Sequence, residues 1–222
     1  MVSIEINGER FEAEAGENVI LVAHAGGVHI PHLCYHPRLS VPANCRLCVS
    51  AIGGADKRRL LPVCDVKVSE GLVVDTLGED VVRAREEALE FLLVGHALDC
   101  PVCAKAGECE LQDYVFTHGR EAGRYAEDAH PQDKVDLGPR ISLYAERCIG
   151  CARCIRFCDE VAGSGELTRV EKGQRVRVDV FPGRELDNPL AGNVVDLCPV
   201  GALVEQDAHL DPPVWQLQGV DS

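Results

Sequence analysis

Residues 147–158 read RCIGCARCIRFC, and this stretch decides the fold. Within it, Cys148, Cys151 and Cys154 are each separated by two residues. Three cysteines at that spacing wrap three irons of a [4Fe–4S] cubane, and the fourth ligand comes from elsewhere in the chain. The stretch therefore predicts a domain built around a cubane rather than a domain held together by its apolar core alone.

The fourth ligand of this group must be chosen between two cysteines. Cys198 precedes a proline and Cys158 precedes an aspartate, and the fourth cysteine of such a motif is typically followed by proline. Cys198 is therefore the predicted ligand, which leaves Cys158 as a small buried apolar side chain. An exchange of roles with Cys198, or a fourth site, is the alternative for Cys158. The third group is predicted to be Cys148, Cys151, Cys154 and Cys198.

A first group of four cysteines lies nearer the start of the chain: Cys34, Cys45, Cys48 and Cys64. Four thiolates with one closely spaced pair suit a [2Fe–2S] cluster. The Cys45–Cys48 pair is expected to hold one iron from both sides of a tight turn. Structural zinc is the alternative, but zinc sites usually combine two such pairs.

A second group lies between these two: His96, Cys100, Cys103 and Cys109. Taken alone, a histidine after a helix is more simply a helix-end cation. Here it leads directly into three cysteines that lack a fourth ligand, so it is predicted to complete their set. Zinc or a [4Fe–4S] cluster would fit this set, and the neighbouring groups favour iron. The sequence thus predicts one [2Fe–2S] and two [4Fe–4S] clusters.

Composition and charge exclude several classes of function. The net charge is −14, and a nucleic-acid partner would need clustered Lys and Arg. No apolar run approaches the ~20 residues of a membrane span, and the start of the chain does not look like a signal peptide. We therefore expect a cytoplasmic chain without direct membrane insertion, in a reducing compartment where cysteines bind metals rather than form disulfides.

Local patterns predict an α+β chain. Asn7-Gly8 predicts a hairpin between strands Val2–Ile6 and Phe11–Ala15. Helices are predicted at Asn18–His24, Glu79–Val94 and Glu110–His118, with Arg85 on the polar side of the second. Further strands are predicted at Cys48–Ile52, Arg59–Val63, Leu72–Thr76 and Val176–Phe181.

These elements and the cysteine groups predict five regions. They are a β-grasp 2Fe–2S ferredoxin-like domain (1–77), a small helical 4Fe–4S domain with one histidine and three cysteines (78–120), a connector (121–140), a 4Fe–4S ferredoxin-like domain (141–204) and an extended tail (205–222).

The order of the groups resembles the N-terminal three-cluster module of the large iron–sulfur subunit (the G subunit) of respiratory complex I. The same module forms the HoxU-type small diaphorase subunit of NAD-linked [NiFe] hydrogenases. The resemblance rests on six segments: PHLCY (31–35), NCRLC (44–48), residues 96–109, GECELQD (107–113), RCIGCARC (147–154) and GNVVDLCPVGAL (192–203). The family often has glycine where Ala43 stands, in the turn before Cys45. If that turn needs a positive φ, the alanine is strained.

The resemblance implies an electron relay without a substrate site of its own, inside an NADH-dependent oxidoreductase. It implies an NADH-binding flavoprotein subunit as donor, which agrees with the absence of a Gly-x-Gly-x-x-Gly motif here. The implied acceptor is a quinone-reducing arm, a [NiFe] hydrogenase or a formate dehydrogenase. The resemblance also implies that partner subunits hold the chain peripherally at the inner face of the membrane. A self-contained enzyme, or a zinc-stabilised scaffold or redox sensor, is the competing class.

Overall fold

The structure is a computed structural model that describes residues 1–54, 57–125, 134–171, 176–207 and 216. Its helices are α1 Val19–Ala25, α2 Glu79–Leu93, α3 Glu110–His118, α4 Arg153–Glu160 and α5 Asn193–Leu197. Its strands are β1 Val2–Ile6, β2 Glu9–Ala13, β3 Val49–Ile52, β4 Arg59–Pro62, β5 Val73–Asp75, β6 Lys134–Asp136, β7 Ile141–Tyr144, β8 Leu167–Val170, β9 Arg177–Val180 and β10 Leu203–Glu205.

The first region is a five-stranded mixed sheet in the order β2-β1-β5-β3-β4, with α1 packed against it. The chain reverses between β1 and β2 because Asn7 and Gly8 both adopt positive φ, 53° and 84°, as a two-residue hairpin requires. The side chain of Asn18 caps α1 by accepting a hydrogen bond from the Ile20 amide at 2.9 Å. The predicted hairpin, helix and ferredoxin-like strands are confirmed, and the parallel β1–β5 pairing joins the ends of the region.

The helix α2 contradicts one expectation. Arg85, predicted on the polar face, is only 5% exposed, whereas the apolar side chain of Val82 is 43% exposed. The Arg85 guanidinium donates to the carbonyl oxygens of Leu47, Val49 and Thr76 at 3.3–3.4 Å. The helix therefore docks on the first region through a buried cation, which a pattern of apolar residues cannot reveal.

The third region combines two small sheets with α4 and α5. Strands β10, β7 and β6 form one antiparallel sheet, and β8 and β9 form a hairpin. Residues 134–136, assigned to the connector from sequence, form β6 and pair with β7. Residues 126–133 of the connector and most of the predicted tail fall outside the described residues.

One apolar core joins the regions. It contains Leu89 of α2, Leu111 of α3, Leu143 of β7 and Phe157 of α4, together with cysteines of all three predicted groups. A second core lies between α1 and the five-stranded sheet. No helix among the described residues has the length and apolar character needed to cross a bilayer.

The turn before Cys45 carries backbone strain. Ala43 adopts φ 49°, in the left-handed region that disfavours a β-carbon. We expect Ala43→Gly to stabilise the folded protein by about 0.5–1 kcal/mol, because relief of the strain outweighs the added freedom of glycine in the unfolded chain.

Thermal unfolding of the purified protein measures this effect. Ala13→Gly is the matched control, since Ala13 is buried in β2 and glycine there should lower the melting midpoint. A lower midpoint for Ala43→Gly as well would show that the turn is not strained.

Candidate iron–sulfur centres

The third group of cysteines surrounds a single cavity. Its walls include the four predicted ligands Cys148, Cys151, Cys154 and Cys198, but not Cys158. The turn through the motif is possible because Gly150 and Ala152 adopt φ 63° and 58°. The motif thereby curls around one point, and α5 delivers the fourth thiol from the opposite side.

These thiols lie in an environment that disfavours negative charge. Burial raises the pKa of Cys151 to about 12, and the nearby Cys198 and Cys148 thiols add to the effect. Burial, and then the other cysteines of the group, also raises the pKa of Cys154. Thiols that are buried and repel one another when ionised are stabilised as thiolates by a nearby cation, and the iron of a cluster would supply that charge.

Cys158 has different surroundings. It is fully buried on α4. Burial raises the pKa of its thiol to about 11, with Glu166 adding to the shift and a hydrogen bond with Ser164 opposing it. The Cys158 carbonyl accepts hydrogen bonds from the amides of Ser164 and Gly165, which fixes the end of the helix. These contacts are consistent with the prediction that Cys158 is a buried side chain outside the ligand set.

The first group is organised as two sulfur pairs. Hydrogen bonding between the thiols lowers the pKa of Cys45 to about 6 and raises that of Cys34, and an analogous bond joins Cys48 to Cys64. The Cys45 amide lies 3.5 Å from Cys34 Sγ, and the Leu33 amide lies at the same distance from Cys45 Sγ. The loops bring the Cys45 thiol to Cys34 and the Cys48 thiol to Cys64, and the expectation that Cys45 and Cys48 hold one iron stays a prediction.

The second group lies between α2 and α3. His96, Cys100 and Cys109 line one cavity, and the Cys100 and Cys103 thiols are close enough to add to the burial that raises the pKa of Cys109. The Nδ1 atom of His96 is buried without a hydrogen-bond partner. A buried unpaired nitrogen is costly, so its position in a cavity shared with Cys100 and Cys109 fits a ligand of a metal centre.

The donors of the three groups do not converge on single points. The described residues include all twelve cysteines, yet no three His, Cys, Asp or Glu side chains among them converge closely enough to hold one metal ion. A structural zinc needs four donors at about 2.0–2.3 Å from one point. A cluster distributes its ligands over several metals, so wider sets of four suit it better.

Sequence reasoning missed two arginines beside these groups. Arg153 and Arg156 lie on α4, and both are at most 8% exposed. Both lie inside the cysteine motif, but charged side chains are almost never fully buried unless they are paired, so their spacing gave no signal of burial.

Sequence profiles of known families cover most of the chain. A "2Fe-2S iron-sulfur cluster binding domain" matches residues 1–79, and an "NADH-ubiquinone oxidoreductase-G iron-sulfur binding region" matches residues 85–124. The ferredoxin-like domain of "NADH-quinone oxidoreductase subunit 3" matches residues 138–204. The three profiles follow the order of the three cysteine groups.

A crystal structure of NAD+-reducing [NiFe]-hydrogenase in the H2-reduced state contains a chain of the same fold. The two superpose with a TM-score of 0.84 at 30% identity, over 96% of this chain and 91% of the other. This chain belongs to the family of iron–sulfur modules shared by the G subunit of NADH-quinone oxidoreductase and NAD-linked [NiFe] hydrogenases. Both the predicted family and the predicted combination of 2Fe–2S and 4Fe–4S ferredoxin-like domains are confirmed.

Curated relatives in this family extend beyond the module. The G subunit of NADH-quinone oxidoreductase from Rickettsia felis is 37% identical over 98% of this chain and 32% of the relative. The mitochondrial 78 kDa subunit of NADH-ubiquinone oxidoreductase from Neurospora crassa is 38% identical over 100% of this chain and 30% of the relative. The chain thus spans about a third of the length of these relatives.

Proposed function

We propose that this chain is an electron-transfer subunit of a complex I-like NADH:quinone oxidoreductase. It would relay electrons between an NADH-oxidising flavoprotein subunit and a downstream redox subunit. When bound, iron–sulfur clusters supply one-electron oxidation and reduction. The observation that carries the proposal is the cavity enclosed by Cys148, Cys151, Cys154 and Cys198, in a chain whose matching profiles are those of iron–sulfur domains.

The proposal assigns one [2Fe–2S] and two [4Fe–4S] clusters to the three groups. The [2Fe–2S] ligands would be Cys34, Cys45, Cys48 and Cys64, and the two [4Fe–4S] sets would be His96, Cys100, Cys103, Cys109 and Cys148, Cys151, Cys154, Cys198. In the first set, the two sulfur pairs support one pair on each iron. In the second, the unpaired nitrogen of His96 supports its inclusion.

Contacts between the groups support a relay with the third group in the middle. On one side, the Arg156 guanidinium of α4 donates to the Cys34 carbonyl at 2.5 Å. On the other side, Cys109 Sγ lies 3.8 Å from the carbonyl oxygen of Pro199, the residue after Cys198. Each outer group therefore touches the protein shell of the third, which keeps the paths between them short and buried.

The hydrogenase diaphorase is the second candidate. Its specific support is the superposition with the NAD+-reducing [NiFe]-hydrogenase chain over nearly the full length of both chains. In either assembly the partners are redox subunits rather than nucleic acid. We propose that these subunits hold the chain at the inner face of the membrane. The two candidates differ only in the protein that receives or delivers electrons at one end.

Native purification tests the proposal. The tagged chain would be isolated without oxygen from its own cells, and its visible absorption would be followed after NADH is added. We expect the co-purified assembly to contain flavin and to bleach with NADH, whereas the chain alone should bleach only with dithionite. Bleaching of the assembly by hydrogen gas would favour the hydrogenase candidate. An assembly without flavin, or one that NADH does not reduce, would contradict the proposal.

Replacement of His96 tests the second ligand set. We expect His96→Ala to change one [4Fe–4S] signal in the electron paramagnetic resonance (EPR) spectrum and to leave the other signals intact, because the imidazole is the only non-thiolate ligand proposed. His118→Ala is the control, since that ring packs against Tyr114 at 6.2 Å instead. A His96→Ala spectrum identical to that of the unmodified protein would show that His96 is not a ligand and only interacts with the end of the helix.

A further inference from the structure

Helix α4 carries two buried guanidinium groups whose charges are poorly compensated. Arg153 and Arg156 are 7% and 8% exposed and lie about one helical turn apart, so their charges repel. Burial of a cation costs several kcal/mol unless an anion and hydrogen bonds compensate it. Arg147 shows the usual solution, because it is also buried but pairs with the Asp99 carboxylate.

The Arg156 guanidinium is held by carbonyl oxygens. It donates to Ser40 and Cys34 at 2.5 Å each and to Ala152 at 3.2 Å. Within the described residues it forms no ion pair, and the Glu160 carboxylate that attracts it is bound to the Ser40 amide and hydroxyl instead. The group thus lies between the Cys34 loop and the Cys151 turn with neutral partners only.

The charge of the Arg153 guanidinium is also poorly compensated. It donates to the Tyr35 carbonyl at 2.9 Å, and its only carboxylate neighbour within the described residues is the half-exposed Glu110 at 3.5 Å. Its Nε atom is buried with no hydrogen-bond partner. Arg153 also lines the cavity formed by the four cysteines of the third group. A buried, unpaired N–H donor at that wall requires an acceptor inside the cavity.

Among the described residues, neither cation therefore has a buried carboxylate partner. Thiolate-ligated clusters carry net negative charge, and their sulfurs accept hydrogen bonds that raise the reduction potential. Reduction adds one electron, and so one negative charge, which a fixed neighbouring cation stabilises. On the basis of the proposed function, we infer that Arg153 and Arg156 are positioning residues that raise the reduction potentials of the first and third centres together.

Potentiometric titration of the cluster-loaded protein, followed by EPR, tests this inference. In Arg156→Gln the ratio of reduced to oxidised centre should fall about tenfold at a fixed potential for the [2Fe–2S] centre and for one [4Fe–4S] centre, which is a shift of ~59 mV for a one-electron couple. The other [4Fe–4S] centre serves as an internal reference. Arg156→Lys keeps the charge and should restore most of the shift, which a merely structural role would not predict. Arg58→Gln is the control, because that arginine lies at the surface and pairs with Asp75 and Asp80.

The possible outcomes separate this inference from the proposed function. If the unmodified protein shows no cluster signals, the proposed function fails. If the signals are present but their potentials in Arg156→Gln equal those of the unmodified protein, the inference fails. Should Arg156→Gln lose its clusters, Arg153→Gln replaces it, because Arg153 is the residue that lines the cavity. An unshifted [4Fe–4S] potential in that variant overturns the inference.

Discussion

Cys198→Ala is expected to abolish one of the two [4Fe–4S] signals and to lower the iron content by about one to four atoms per chain, because the loss of this thiolate leaves one iron of the cubane without a protein ligand. Cys198 is buried at the end of α5, and its thiol closes the cavity opposite the Cys148–Cys154 turn. The described residues place no other cysteine on the wall of that cavity. The first and second groups share no ligand with it, so their signals should remain.

Cys158→Ala is the matched control for this experiment. Its side chain is the same size and is also buried, but it packs beside Ser164 and Glu166, away from the cavity wall. We expect all signals to survive, with a small loss of stability from the missing sulfur. The reverse result, loss of a [4Fe–4S] signal in Cys158→Ala but not in Cys198→Ala, would exchange the roles of the two cysteines.

Gly201→Ala should damage the second centre from a position outside its ligand set. A β-carbon on Gly201 would overlap Cys103 Sγ and would come within 3.5 Å of the Lys105 amide nitrogen. Gly201 follows Cys198 closely in a compact turn, so its backbone has little room to move. The Cys103 sulfur would therefore have to shift instead. We expect the [4Fe–4S] signal assigned to the His96 group to be lost or strongly altered in EPR spectra of the reduced protein.

Gly192→Ala is the control for this prediction. Gly192 lies in the same cleft, but a β-carbon there would meet only Glu205 Oε1, at 4.0 Å. Normal spectra are expected for that variant. A normal His96-group signal in Gly201→Ala would mean that the Cys103 sulfur does not lie against Gly201, and the described packing of the second group against the third would be wrong.

The parts of this fold that sequence predicts well depend on local chemistry. Asn7-Gly8 defines the first hairpin, Asn18 caps α1, and apolar spacing gives α2 to within one residue of its end at Leu93. The choice of Cys198 over Cys158 also rests on a neighbouring residue, Pro199, and the cavity is consistent with it. In each case the residues that determine the hairpin, cap, helix or ligand lie within a few positions of it in the sequence.

What sequence could not predict depends on contacts between distant segments. The thiols of Cys45 and Cys34 meet because two loops fold back on each other, and spacing alone does not reveal this contact. Arg85 and Arg156 look like surface residues of helices, yet carbonyl oxygens from other segments surround them. Burial of a charge is a property of the assembled structure, so it has no signature in periodicity.

Quantitative analysis of metal and sulfide tests the central claim most directly. Protein purified without oxygen should contain about ten irons and about ten acid-labile sulfides per chain, the sum for one [2Fe–2S] and two [4Fe–4S] clusters. Zinc bound without labile sulfide would contradict the claim that these cysteine groups hold iron–sulfur clusters.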